Sequence, residues 1–364
     1  MTLAVNAPLN SVSFGQITCS FLRDTYENKL VNELLLFPVG NNIDLSSQQI
    51  TDENFLNWIK SGALNSLTSH NRKNKIFKLW HLNGSLESFS KEQVLLSFYE
   101  LDSPTKEEIN IVKNNSKVFF TSNYTTSLFR DLGCSNVEFL PLFFDKFNFS
   151  VKDKKYFSDS RIVFNLVGKL EKRKHHEKVI KAWVKRFGNN SKYSLQCSIY
   201  NPFMDPKQQS AIISSWLENK TYFNISFLGF MQKNSAYNDY LNSGDIVIGM
   251  SGGEGWGLPE FHSVALGKHA VILNQHSYKD WATKENSVLV NPNGKINAID
   301  GVFFHPNQPF NQGNIFDFNE NEFINGCEEA IKRVENNRVN TDGLKLQEKF
   351  NISNFTSKII EAMK

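Results

Sequence analysis

The stretch Ser251–Asn274, SGGEGWGLPEFHSVALGKHAVILN, decides how the rest of the chain is read. It is preceded by Asp245–Met250 (DIVIGM), an apolar β-branched run of strand length. Four glycines then fall within seven residues, with Glu254 among them. Gly257-Leu258-Pro259 opens a helix, with proline near its first position, where a missing N–H is harmless. Leu258, Phe261 and Ala265 share one helical face, Gly267 ends the helix, and Ala270–Asn274 begins another buried strand. A strand, a glycine-rich turn and a helix N-terminus together make an anion site, with backbone N–H groups and the helix dipole directed at a ligand.

The same pattern recurs upstream. Ile162–Val167 (IVFNLV) is an apolar strand that runs into Gly168-Lys169-Leu170-Glu171-Lys172-Arg173-Lys174-His175-His176. A helix follows, with Val179, Ile180, Trp183 and Phe187 on its inner face. Positive charge crowded at a helix start opposes the macrodipole by a few tenths of a kcal/mol per charge, roughly, and an anion there reverses the sign. His175 and His176 are adjacent, so they face different sides and are read as packing or capping residues.

These two stretches resemble the donor-site signature of family 4 glycosyltransferases, retaining enzymes of the GT-B fold. The first carries the family's glutamate followed by Gly-aromatic-Gly-Leu, here Glu254-Gly255-Trp256-Gly257-Leu258. The second carries its Gly-Lys-Leu with a lysine six residues after the glycine, here Gly168, Lys169, Leu170 and Lys174. The resemblance implies that Lys169 and Lys174 hold a nucleotide diphosphate with Arg173 as helper, and that Glu254 accepts hydrogen bonds from sugar hydroxyls. It implies that Gly229, Phe230 and Met231, after the strand Ile225–Phe230, border the base. The chain departs from the signature once: the second acidic position is His262. A neutral imidazole offers one donor and one acceptor, so His262 either holds a ribose in place of the glutamate or only packs. Glu260 cannot take over, because two helical residues turn a side chain by about 200°.

The N-terminal half alternates strand and helix signals: a polar loop over 9–15 ending in Gly15, a helix over 16–28, and a strand over Glu33–Val39. A helix over 52–63, strands over Ile76–Leu82 and Lys117–Thr121, a helix capped by Ser122, and a strand over Val137–Phe144 follow. This alternation predicts parallel sheets with helices on both faces. Thr121–Phe149 and, more weakly, Tyr99-Glu100-Leu101-Asp102 resemble the acceptor-side domain of the same family. Its acceptor-side candidates are therefore His81, Glu100, Asp102 and Gly15, with a strand-end histidine or a solvated loop as the plainer alternative.

The expected fold is α/β, GT-B, with two Rossmann-like domains facing across a cleft. Residues 1–150 form the acceptor-side domain and 151–345 the nucleotide-sugar domain, and a final helix in 346–364 braces the first. Residues 299–318 are rich in Gly, Pro, Asn and Phe, and read as a flap or a surface excursion. The expected function is transfer of a sugar from a UDP-, GDP- or ADP-linked donor to a glycan, lipid-linked or small-molecule acceptor, with retention. The alternative is a non-catalytic protein that binds sugar nucleotide or glycan. No Asp-x-Asp motif is present, so no metal and no separate cofactor are expected.

Composition narrows the remaining classes. Forty basic against 37 acidic residues give a net charge of +3, too weak for a nucleic-acid groove. The four cysteines have no zinc spacing, which suits a reducing compartment. No run approaches the roughly 20 apolar residues of a membrane span, so a cytoplasmic protein, with peripheral membrane contact open, is expected.

Overall fold

A computed structural model describes residues 1–364, the side chain of Asn41 apart. The first half contains β1 (Thr2–Leu9), α1 (Ser13–Glu27), β2 (Glu33–Ile43), α2 (Glu53–Thr68) and β3 (Ile76–Leu79). It continues with β4 (Gln93–Ser97), α3 (Lys106–Lys113), β5 (Lys117–Phe120), α4 (Asn123–Asp131) and β6 (Val137–Phe139). Its six strands form one sheet in the order β2-β1-β3-β4-β5-β6, and each pairing in it is parallel. The central strands β3 and β4 are buried throughout and β1 at all but its first residue, because the sheet is covered on its faces, whereas the edge strand β2 is buried only over residues 34–37.

The second half opens with β7 (Ile162–Val167), α5 (His176–Phe187), β8 (Tyr193–Ser198), α6 (Pro206–Trp216) and β9 (Ile225–Phe227). Then come α7 (Asn234–Ser243), β10 (Ile246–Gly249), α8 (Leu258–Ala265), β11 (His269–Leu273) and β12 (Val288–Val290). These strands make a second parallel sheet, ordered β12-β11-β10-β7-β8-β9. The chain closes with β13 (Pro292–Asn297), β14 (Asn314–Phe318), α9 (Glu320–Asn336), α10 (Thr341–Leu344), α11 (Leu346–Lys349) and α12 (Ile352–Met363). Although last in sequence, α12 packs on α1 and β3 of the first half, where Phe355 meets Phe21 and Phe143.

Local chemistry explains the element ends. Ser122 accepts a hydrogen bond from the Thr125 N–H at 3.1 Å, as its capping assignment requires. Thr105 and Glu108 form a reciprocal capping box at the start of α3. The strand expected over Val137–Phe144 stops at Phe139, because Pro141 has no N–H for a ladder. The loop expected over 9–15 is shorter: Leu9 belongs to β1 and Ser13 already starts α1. Residues 299–318 resolve into a crossing loop followed by β14, which pairs antiparallel with β13. That hairpin reaches over to the first half. Lys295 pairs with Asp102 at 2.8 Å, Thr105 Oγ1 donates to the Pro309 carbonyl, and Phe304 and Ile315 enter the core around Tyr99 and Leu101. Among the described residues no helix is long and apolar enough to cross a membrane.

Candidate functional site

In the second sheet β7 lies beside β10, and the chain leaves this pair in opposite directions, toward β8 and β9 on one side and β11 and β12 on the other. Their carboxyl ends therefore border the topological switch point, the crevice where open parallel sheets take ligands. Two corners meet there. After β7, Gly168 adopts φ +100, and a Cβ on it would lie 3.0 Å from Lys174 Cε. Only glycine lets the short turn Lys172–Lys174 fold back so tightly. After β10, the Gly252 N–H donates to the Arg173 carbonyl at 2.7 Å, joining the two corners.

Side chains complete the junction. Arg173 Nη1 donates to the Gly253 carbonyl at 2.7 Å and to Glu254 Oε1 at 2.8 Å. Lys174 is paired with the same Glu254 oxygen and lies 3.9 Å from Glu260. Arg173 also pairs with Glu171 at 2.7 Å and with Glu100 of the first half at 3.1 Å. Lys169 pairs with Glu171 at 2.9 Å and keeps more of its side chain exposed, 39% against 6% for Lys174. Its ammonium lies 5.4 Å and 5.2 Å from the ring centres of Phe203 and Phe303. The cluster thus holds three cations and four carboxylates, most of them buried.

The electrostatics divide the carboxylates into two kinds. Burial alone would raise Glu254, but Lys174 and Arg173 outweigh it and hold the carboxyl at about 2. Glu171 is likewise lowered against its burial by Arg173 and Lys169. Burial wins at Glu260, which is pushed up despite Lys174. Glu100, about a quarter exposed, is pushed up by desolvation against the pull of Arg173, helped by repulsion from Glu254 and Glu171. Two carboxyls are thus pulled down by the cations beside them and two are pushed up by burial, within one cluster.

The glycine turn, expected to aim its N–H groups at a ligand, packs closely against the first half. Thr121 Oγ1 donates to the Gly255 carbonyl at 2.6 Å. A Cβ on Gly255 would lie 2.8 Å from Phe98, and one on Gly253 would run into the Glu100 carbonyl oxygen. The glycines are therefore used for close approach between the halves, and the Gly252 amide is already bonded. Trp256, expected at the donor, is a core residue at 1% exposure, packed on Phe261 and Phe350. Gly257 has φ +78, with the Tyr278 ring where a side chain would project, and Leu258 is half-buried.

His262 faces away from the junction. Its Nδ1 is 2.8 Å from the Leu258 carbonyl and its Nε2 accepts from the Asp145 N–H at 3.2 Å. The ring lies 4.5 Å from Phe149. Both nitrogens are thus spent on backbone, which takes away the donor and acceptor that a ribose would need. The residue missed in the sequence is Glu260. The two side chains do lie about 200° apart on α8, but it is Glu260 that points to Lys174 and His262 that points to the linker. An acidic residue on the helix after the glycine turn was the available signal, and Glu171 beside the basic run was another.

Of the remaining candidates, Glu100 joins the cluster through Arg173, whereas Asp102 holds the hairpin through Lys295 and the Asn314 N–H. His81 is exposed, its ring tilted against Phe14 with the ring centres 4.6 Å apart. Gly15 is not a loop residue but lies inside α1, where a Cβ would strike the backbone of Asn10. Gly229 and Phe230 are exposed at the end of β9, and Met231 is half-buried against the core.

No protein-family model matches the chain, and no curated protein sequence matches it significantly. Solved structures do. Sucrose-phosphate synthase from Thermosynechococcus elongatus aligns over 100% of this chain and 98% of its own, at 12% identity and TM-score 0.66. HepE from Anabaena, solved with UDP and glucose, aligns over 100% and 99%, at 13% identity and TM-score 0.63. A glycosyltransferase from Rickettsia africae aligns over 100% and 97%, at 10% identity and TM-score 0.67. With both chains spanned nearly end to end, the fold is the GT-B one, two Rossmann-like halves facing each other.

Proposed function

We propose that the protein is a nucleotide-sugar-dependent glycosyltransferase of the family 4 type, transferring a hexosyl group with retention. The observation that carries this reading is the meeting of Arg173 and Lys174, from one corner, with Glu254 from the other, at the switch point of the second sheet. The similar fold of HepE, solved with UDP-glucose, supports it. In this reading residues 1–150 carry the acceptor side, 151–345 hold the donor, and 346–364 brace the first part.

Breaking a sugar–diphosphate bond builds negative charge on the leaving phosphate. Fixed cations and N–H groups stabilise it without reorganising, each by roughly 3–4 kcal/mol in comparable oxyanion sites. Arg173 and Lys174 are held in place by the carboxylates that now neutralise them. An arriving diphosphate takes over those contacts, and Glu254 is freed to accept from sugar hydroxyls. Lys169, at the exposed margin, meets the diphosphate first. Two or three cations supply the charge that a divalent metal supplies elsewhere, so the step needs no metal. Glu100 and His81 border the acceptor's approach.

A thermal-shift screen of the purified protein against UDP, GDP, ADP and their sugars tests this reading. One nucleotide class is expected to raise stability by about 2.7 kcal/mol at 100-fold excess over Kd. Absence of a shift with every nucleotide argues against it. A shift without transfer or donor hydrolysis selects the non-catalytic binding alternative.

A further inference from the structure

The turn after β11 carries polar groups that the fold leaves unused. Gln275, His276 and Ser277 are buried, none more than 3% exposed. Among the described residues, Gln275 Oε1, both ring nitrogens of His276 and Ser277 Oγ have no hydrogen-bond partner. A buried polar group left unpaired is costly, and three such residues in a row need a reason. The backbone adds to the cost. His276 has a φ of +45°, and of the eight non-glycine residues with positive φ only it and His175 are buried. His175 spends its Nε2 on the Phe316 carbonyl, 2.7 Å away, whereas His276 spends neither nitrogen. A strained backbone and an orphaned imidazole in one residue mark a functional site more than they mark packing.

Position says what the imidazole meets. β11 pairs with β10, so this turn follows the carboxyl end of the strand next to the glycine turn. Gln275 Nε2 donates to the Ser251 carbonyl and fixes the two turns together. The Glu254 backbone lies beside the His276 ring, though not in hydrogen-bond geometry, and the charges of Glu254 and Arg173 both reach it. Burial holds the imidazole down at about 4, so near neutral pH it offers one donor and one acceptor. A hydroxyl satisfies both, whereas an ionised phosphate accepts only and leaves one nitrogen unpaired. Against the ring packs Tyr124 of the first half, the ring centres 4.5 Å apart. We propose that His276 binds a hydroxyl of the sugar on an entering sugar nucleotide, beside Glu254, and so helps to select which sugar is transferred. This role rests on the glycosyltransferase reading and adds a specificity-determining residue to it. The parting of the halves that admits a diphosphate to Lys174 also takes Tyr124 away from His276 and uncovers its nitrogens.

Titration calorimetry of the full chain tests this, with UDP, GDP and ADP each added bare and linked to glucose, galactose or N-acetylglucosamine. Two variants remove the nitrogens. His276→Phe keeps a ring against Tyr124 and buries no orphaned polar atom. His276→Gly suits the positive φ and reads the same outcome should the first fail to fold. Each is expected to weaken binding of the preferred sugar-linked nucleotide about tenfold, while the bare diphosphate stays within about twofold of the parent. Equal affinities in parent and variants, or an equal loss for bare and sugar-linked forms, would overturn this role and leave the glycosyltransferase reading standing. A parent that binds none of the nucleotides would overturn both.

Discussion

At the scale of single residues, Lys174 shows what burial does to a charge. Its partner Glu254 is 5% exposed, so removing the ammonium leaves a carboxylate without solvent or counter-ion except Arg173. Lys174→Ala is therefore expected to destabilise the fold by about 3–5 kcal/mol, read from urea unfolding, and Glu254→Gln in the same chain should recover part of it. His262 gives a second prediction. Burial holds its imidazole down at about 4, with the Leu258 carbonyl opposing. Between about 6.5, the unfolded value, and 4 the unfolded chain takes a proton that the folded one refuses. Stability attached to this group is complete above that window and is lost as pH falls through it. A His262→Phe variant should thus gain on the parent as pH drops from 6.5 to 4, by up to about 1.4 kcal/mol per pH unit. Because neither ring nitrogen faces the junction, the same variant should keep the donor KM within about twofold; a large rise would return the residue to the ribose.

At the scale of elements, long apolar strands and amphipathic helices were legible, and short or polar ones were not. IVFNLV became β7 at the residues expected, and the helix after it buries the expected apolar stripe. β1 was missed because Asn6 and Pro8 interrupt it, yet Asn6 is buried and its amide donates to the Phe37 carbonyl. β4 is only five residues, and α3 and α6 are charged or polar where they meet solvent. β13, PNGKIN, reads as a turn and forms a strand only because β14 pairs with it. The meeting of the two corners was inferred from resemblance; its physical cause is the placement of β10 beside β7, which no local pattern encodes. The final helix makes a testable case. Phe355 is 3% exposed between Phe21 and Phe143. Phe355→Ala should cost about 3–5 kcal/mol, and far-ultraviolet and tryptophan signals should still unfold together. A separate early transition would show α12 to be a detachable appendage.

At the scale of the whole molecule, the two halves are joined by more than their linker. One apolar core holds Phe14 and Phe143 of the first half with Val167, Tyr240, Trp256 and Phe261 of the second. Around it Glu100 pairs with Arg173, Asp102 with Lys295, and Asn123 with Asp280. A diphosphate reaches Lys174 only if the contact of Phe98 with Gly255 and the pair of Glu100 with Arg173 part. In the proposed enzyme the charge junction thus serves a substrate as well as joining the halves. The most direct test is release of nucleoside diphosphate from UDP-, GDP- and ADP-sugars by the purified protein, with Lys169→Ala alongside. Lys169 is exposed enough for its variant to fold. Release from one donor class is expected, with a fall in kcat/KM of about 100-fold in the variant. Release that Lys169→Ala leaves untouched, or none from any donor, would contradict it.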